Sequence, residues 1–470
     1  MNQPLSLIRK ATLCLLCCVS LLLPLIAQSS DSNMNDRFDK QALHDYIVNL
    51  HDDNRAMMNV VISRNGETIF SQQTGFSHVE SSLFRSDEYI KTTEDTPTKI
   101  ASITKIFVSV LIHQLIDEQK LSLETPLSTF YPNVVNAQNI TIKNLLEHSS
   151  GIFNYILDEH IGEFIFVPHS KEALLTRIEA YPSVFPPGNM SRYSNSNYIL
   201  LGFIIEDLYQ KPFEVVLKQN ITDKLNLSET RYCHDLDACQ FETQSYSYWN
   251  GKWAEVPDWH QSILYTTGGI TSTAADLTTF INALFNGELI TAKSLGSMTE
   301  DNYGFAKGIF KYDFSGYTGY GHDGLVENFN SQLIYYPQLD LTFVMLINAL
   351  HDNPQQIFNN VKALYFGTST NIPKFNQAPI DISTLTLDNY IGTYKSITQQ
   401  TVVNIYVENG KLMASLDGLN HAELTPLSEE DFENKFIGFD LHFFGKNNTE
   451  GHYIMIKSQY GGSEETFYRK

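Results

Sequence analysis

Basic residues are scarce in this sequence. Its 470 residues carry 32 Lys and Arg against 53 Asp and Glu, a net charge of −21. Phosphate backbones and anionic lipid are gripped by clustered Lys and Arg, so this balance argues against a nucleic acid or a membrane surface as partner. The acidity is spread thinly, without an acidic tail, and reads as a solubility feature. Long apolar runs are missing after the N-terminus, and no later segment reaches the roughly 20 apolar residues of a membrane span. The G-x-S-x-G elbow, H-E-x-x-H and the P-loop are also absent, which weakens α/β-hydrolase, zinc-protease and nucleotide readings. A G-x-G-x-x-G match at Gly319, Gly321 and Gly324 is followed by a strand-like run, whereas a dinucleotide site needs a helix there. Neither a cofactor nor a metal is expected.

Cysteine is rare as well, with five in the chain. Three of them, Cys14, Cys17 and Cys18, fall within an apolar run over residues 11–27 that follows Arg9 and Lys10. Positive residues, a short apolar stretch and the small-x-small triplet Ala27-Gln28-Ser29 form the pattern of a secretory signal peptide over 1–29. The alternative is an uncleaved anchor. Cleavage would start the chain near Ser30, turn −21 into −23 by removing two positive charges, and place the protein in the periplasm or outside the cell. Cys233 and Cys239 would then remain. Two cysteines six positions apart in an exported chain are a disulfide candidate, with two free thiols as the alternative. A small loop gives such a bridge a modest effect on stability.

A 42% hydrophobic and 12% aromatic composition is ample for a packed core. Asn65-Gly66, Asn250-Gly251 and Asn409-Gly410 stand between strand-like runs and predict hairpins, because both turn positions need positive φ. Asn286-Gly287 follows a helical pattern and predicts a helix C-cap. Helical patterns lie at 40–50, 102–119, 142–146, 171–180, 197–209 and 274–285, with strand-like runs at 330–336 and 341–347. Strands at both ends with helices between predict an α/β (α+β) protein with a largely antiparallel sheet. A polar stretch with Pro373 and Pro379 reads as a linker over 371–383. It separates a main domain over 30–370 from a small, barrel-like β domain over 384–470, where alternating runs replace helical signals.

The chemistry-bearing pattern is Ser102-Ile103-Thr104-Lys105. On a helix, positions i and i+3 share a face, so the Lys105 amine reaches the Ser102 hydroxyl. A hydroxyl needs a base to attack at neutral pH, and lysine serves when burial lowers its pKa. Ile106-Phe107-Val108 and Val110-Leu111-Ile112 are apolar enough to bury that helix. Tyr193-Ser194-Asn195 comes next, after a turn-rich Phe185-Pro186-Pro187-Gly188. A tyrosine there can relay a proton and an asparagine can hold a substrate carbonyl, although Y-x-N recurs at Tyr131 and Tyr248. His322-Asp323-Gly324 is third, its glycines allowing backbone close to a substrate as on a sheet edge; His160-Ile161-Gly162 matches H-x-G without that setting.

In order and setting these elements resemble the serine β-lactamase and penicillin-binding-protein superfamily. The likeness is to the branch of class C β-lactamases, D-Ala-D-Ala carboxypeptidases, D-aminopeptidases and related esterases. The segments Ile142-Lys143-Asn144-Leu145-Leu146-Glu147-His148-Ser149-Ser150-Gly151 and Gly268-Gly269-Ile270-Thr271-Ser272-Thr273-Ala274-Ala275-Asp276-Leu277 are similar to family segments too. The resemblance implies a β-lactamase-like antiparallel sheet flanked by helices, with Ser102 as nucleophile, Lys105 as base and Tyr193 sharing the proton traffic. It also implies Asn195, His322 and Gly324 as substrate-binding residues, and an oxyanion hole of the Ser102 N–H and the Leu325 N–H. The implied substrate is a small ester, peptide or β-lactam. Where β-lactamases and transpeptidases carry K-T-G, this chain has His322-Asp323-Gly324. A histidine is largely neutral at pH 7, so the departure favours an esterase or peptidase over a true β-lactamase or D-Ala-D-Ala carboxypeptidase. A non-catalytic penicillin-binding or sensor protein on the same fold is the alternative. Trp249, Trp253 and Trp259 lead into Gly268, either as an aromatic wall for an apolar acyl group or as a hairpin packed on the core.

Overall fold

A computed structural model describes residues 38–80, 88–232, 243–249, 252–302, 304–368, 381–382, 385–396, 401–416, 419–434, 439–444, 453–458 and 465–470. The expected signal segment, both mature cysteines and most of the expected linker lie outside the described residues.

Eight strands form the main sheet: β1 (Ala56–Arg64), β2 (Glu67–Gln73), β3 (Tyr246–Trp249), β4 (Lys252–Glu255), β5 (Phe310–Phe314), β6 (Tyr317–Val326), β7 (Phe329–Tyr336) and β8 (Leu341–Leu350). The order β5-β6-β7-β8-β1-β2 is antiparallel throughout. The hairpin β3/β4 joins the end of β8 through one parallel pairing. Asn65 and Gly66 turn β1 into β2 with φ of 52° and 76°, as that dipeptide predicts.

Period-two alternation places this sheet between two apolar layers. Val61, Leu333, Val344 and Leu346 face one core, while Val60, Ile62, Ile334, Phe343, Met345 and Ile347 face the other. The second core is closed by α1 (Lys40–Asp52) and α6 (Pro354–Phe366). The first is the larger and holds α2 (Thr104–Asp117), α3 (Asn195–Tyr209), α4 (Gln261–Gly268) and α5 (Ala274–Phe285). Being apolar on nearly every side, α2 and α3 are buried almost all round, the position expected of such helices. Asn286 caps α5 and Gly287 follows at φ 79°.

Residues from Gly392 to Arg469 build a separate nine-stranded antiparallel sheet. It wraps its own core of Tyr390, Tyr394, Ile405, Leu412, Phe432, Leu441, Ile454 and Phe467. Asp431–Asn434 and Phe439–Phe444 form two of its strands.

Candidate active site

Three backbone segments converge where β6 crosses the entry to α2. The first is the short strand Thr98–Lys99, pinned to Ile270–Ser272. It leads into a 3-10 turn over Ala101–Ile103, and α2 begins only at Thr104. The spacing predicts a helix from Ser102 itself. The difference arises at Ala101, whose φ of 48° is left-handed, a conformation that costs an L-residue roughly 1–2 kcal/mol. This kink lifts Ser102 onto the rim of the helix.

β6 forms the opposite wall, and Gly324 is the point of closest approach. A Cβ at Gly324 would lie 2.2 Å from Ser331 Oγ, 2.5 Å from the Ile100 carbonyl oxygen and 2.9 Å from Ala101 Cβ. Glycine is therefore required for β6 to pass the turn that carries Ser102. Contrary to the expected sheet edge, β6 is paired on both sides, with β5 and β7, because its glycines still donate and accept along the ladder. Ser331 Oγ donates to the Ile100 carbonyl at 2.8 Å and locks β7 to the same turn.

The third segment carries Tyr193, just ahead of α3. Its hydroxyl donates to Ser102 Oγ at 2.9 Å. On the other side Lys105 Nζ lies 3.0 Å from Ser102 Oγ and donates to the Thr267 carbonyl at 2.6 Å. Tyr193, Ser102, Lys105 and Thr267 thus form one continuous hydrogen-bonded line. Burial drives the Lys105 pKa well below 10.5 and raises that of the Tyr193 phenol. These shifts favour a neutral amine and a protonated phenol. The line is able to take a proton from Ser102 at Lys105 and to give one from Tyr193. The Thr267 carbonyl is aimed by backbone strain two residues earlier, where Tyr265 has φ 30° and ψ −123°.

His148 supports Tyr193, with ring centroids 4.4 Å apart. Its Nδ1 accepts the Ser194 N–H at 3.2 Å. Burial holds the imidazole neutral. Asn195 is buried, and Asn154 Oδ1 accepts its N–H at 3.1 Å. His322 is buried on β6, stacked on Phe310 at 4.0 Å and 6.3 Å from the Tyr193 ring. Burial pushes its pKa down to about 3, so it is neutral, and its Nδ1 side is tied to the Asp323 carbonyl at 2.5 Å. Leu325 follows Gly324 with its side chain 69% exposed.

Ser102, Lys105 and Tyr193 thus meet in one line, with His322 near the Tyr193 ring and Gly324 against Ile100 and Ala101; Asn195 is held by Asn154. The tryptophans divide. Trp253 packs with Met57, Tyr246 and Ala349, whereas Trp259 packs on Ala101, Leu264, Val326 and Phe329 beside the Ser102 turn. Sequence reasoning missed Asn154 and the Thr267 carbonyl. Asn154 had a signal, lying three residues past the Ser-Ser-Gly segment; a backbone carbonyl has none. Among the described residues no group of three His, Cys, Asp or Glu side chains is arranged to hold a metal, and no helix is long and apolar enough to cross a membrane.

Comparison with known proteins agrees with this architecture. The family model described as Beta-lactamase matches residues 43–366. A penicillin-binding protein of Bacillus subtilis (strain 168) is 25% identical over 421 residues, 81% of this chain and 90% of the relative. The D-alanyl-D-alanine-carboxypeptidase/endopeptidase AmpH of Escherichia coli (strain K12) is 26% identical over 151 residues, 31% of this chain and 39% of the relative. The octameric penicillin-binding protein homologue from Pyrococcus abyssi superposes with a TM-score of 0.64 at 20% identity, covering 92% of this chain and 100% of that one.

Proposed function

We propose, from the premise that this chain belongs to the beta-lactamase family, that it is an exported serine hydrolase that forms an acyl-enzyme at Ser102 from an ester or amide. The observation that carries this reading is the line from Tyr193 through Ser102 and Lys105 to the Thr267 carbonyl, at 2.9, 3.0 and 2.6 Å. Neutral Lys105 takes the Ser102 proton as Oγ bonds to the substrate carbonyl carbon. The Ser102 and Leu325 N–H groups receive the oxyanion. The Tyr193 phenol gives its proton to the departing alcohol or amine and regains one from Lys105. Water then repeats the sequence in reverse: its proton passes to the same line, its oxygen takes the acyl group, and Ser102 recovers its hydrogen. Asn195 holds the substrate amide.

Neutral His322 brings no positive charge to the wall where a β-lactam or D-Ala carboxylate would sit. This supports esters and uncharged amides over β-lactams and D-Ala termini. Incubation with a labelled fluorophosphonate and with labelled penicillin, followed by mass measurement, tests the nucleophile. A single adduct at Ser102 is expected from the fluorophosphonate, with none on Ser102→Ala; equal labelling of both proteins would overturn the assignment. A screen of p-nitrophenyl esters, a cephalosporin and D-Ala peptides then ranks substrates, with the esters expected to turn over fastest. Export is tested on secreted protein, whose N-terminus is expected near Ser30.

A further inference from the structure

The nucleophile turn is braced from behind by a buried ion cluster that the reaction itself does not use. Lys99, three residues ahead of Ser102, is almost fully buried. Its Nζ donates to Asp258 Oδ1 at 2.6 Å and to the Glu327 oxygens at 2.8 and 2.9 Å, and it lies 5.4 Å from the centre of the Phe329 ring. Glu327 is the left-handed turn residue between β6 and β7, at φ 55°, and its side chain has no exposure. Its Oε1 also accepts the Trp259 backbone N–H at 2.7 Å. One ammonium thus joins three walls of the cleft: the lead-in to Ser102, the loop that carries Trp259, and the turn two residues beyond Leu325. Trp259 lies across Ala101, Leu264, Val326 and Phe329, with the exposed Leu325 next to Val326.

We infer that Lys99 and Glu327 are positioning residues that hold Trp259 and the Leu325 backbone against the nucleophile turn, and that Trp259 and Leu325 seat an apolar acyl group of the substrate. This rests on the serine hydrolase reading. The physical reason is that a buried carboxylate stays in place only while its partners are fixed. Glu327 accepts from both Lys99 and Trp259, so the tryptophan loop and the Ser102 lead-in move as one unit. The charged groups facing Glu327 are Lys99 from the strand before the nucleophile and Asp258 from the tryptophan loop. Burial raises the Glu327 pKa to about 7, opposed by Lys99 and reinforced by Asp258. Protonation below that pH turns one accepting oxygen into a donor and removes the negative charge that faces the Lys99 ammonium.

The test uses the full chain and p-nitrophenyl acetate and octanoate. The wild-type protein is expected to prefer the octanoate, and Glu327→Gln to reduce that preference by about tenfold in kcat/KM. The variant is also expected to lose an inflection near pH 7 that the wild type shows. Trp259→Ala should lose the same preference and Trp259→Phe recover most of it. A Glu327→Gln protein that keeps both the preference and the inflection would overturn the inference, as would an equal loss on both esters. A second measurement needs no change at Glu327. With Trp249 and Trp253 replaced by Phe, Trp259 emission is followed from pH 5.5 to 8.5. A shift centred near pH 7 is expected, and a flat titration would overturn the role of Glu327. Absence of fluorophosphonate labelling at Ser102 would instead overturn the hydrolase reading, which the fluorescence titration does not address.

Discussion

An exposed lysine keeps its proton far above neutrality, whereas burial puts Lys105 well below its ordinary 10.5. The consequence for stability has a definite sign. Between the folded pKa and 10.5 the unfolded chain binds a proton at this position that the folded chain does not, so stability rises with pH across that window. One such proton contributes a slope of up to about 1.4 kcal/mol per pH unit. Urea unfolding of wild type and Lys105→Met at pH 7, 8 and 9 should show the slope in the wild type reduced in the variant. The same depression favours the free amine that the proposed base role needs. Tyr193 is its counterpart, a phenol whose raised pKa keeps it protonated. Tyr193→Phe is expected to lower kcat about 100-fold or more, the usual scale for losing a proton-transfer group, with the midpoint of thermal unfolding little changed.

β6 passes the nucleophile turn with no room for a side chain at Gly324. Gly324→Ala is expected to cost about 1–3 kcal/mol, the scale of core overpacking, and to depress activity further than that loss explains, because the strand must back away from Ile100 and Ala101. Thermal unfolding combined with ester turnover below the melting range separates the two effects. Elements were legible in the sequence where local chemistry alone decides them. Asn65-Gly66 and Asn409-Gly410 made their hairpins, and the helices Ile142–Leu146 and Ala274–Phe285 have the bounds their patterns predict. The sequence reading left β6 without a strand of its own, since three glycines weaken the strand pattern and only pairing with β5 and β7 restores it. α6 was overlooked despite Asn353 as cap, Pro354 in the first turn and Gly367 after its end; its many Asn and Gln residues blur the apolar stripe of Ile357, Val361 and Leu364. At the site, Ser102, Lys105 and Tyr193 carry their spacing in the sequence. The contact between Lys105 and the Thr267 carbonyl comes from two distant segments and leaves no trace there.

Among the described residues the cores form two sets with no residue in common. Those of the main sheet end at Phe366, and that of the nine-stranded sheet involves no described residue before Ile382. Calorimetry is expected to resolve two unfolding transitions, and limited proteolysis to cut first within 371–383. The main sheet itself is closed by its extremities. β1 lies beside β8, with Ala56 opposite Leu350, so the centre of the sheet joins the earliest and latest strands of the unit. Local pairing assembles β5 to β8 or β1 with β2, but neither piece covers its own apolar faces. Folding must therefore wait until nearly the entire unit has been synthesised, as sheets dominated by distant pairings do. Ribosome-bound chains halted before residue 341 should be digested as readily as unfolded protein, and chains released beyond residue 366 should resist. A polypeptide that stays unfolded through most of its synthesis is one that a translocation channel is able to thread.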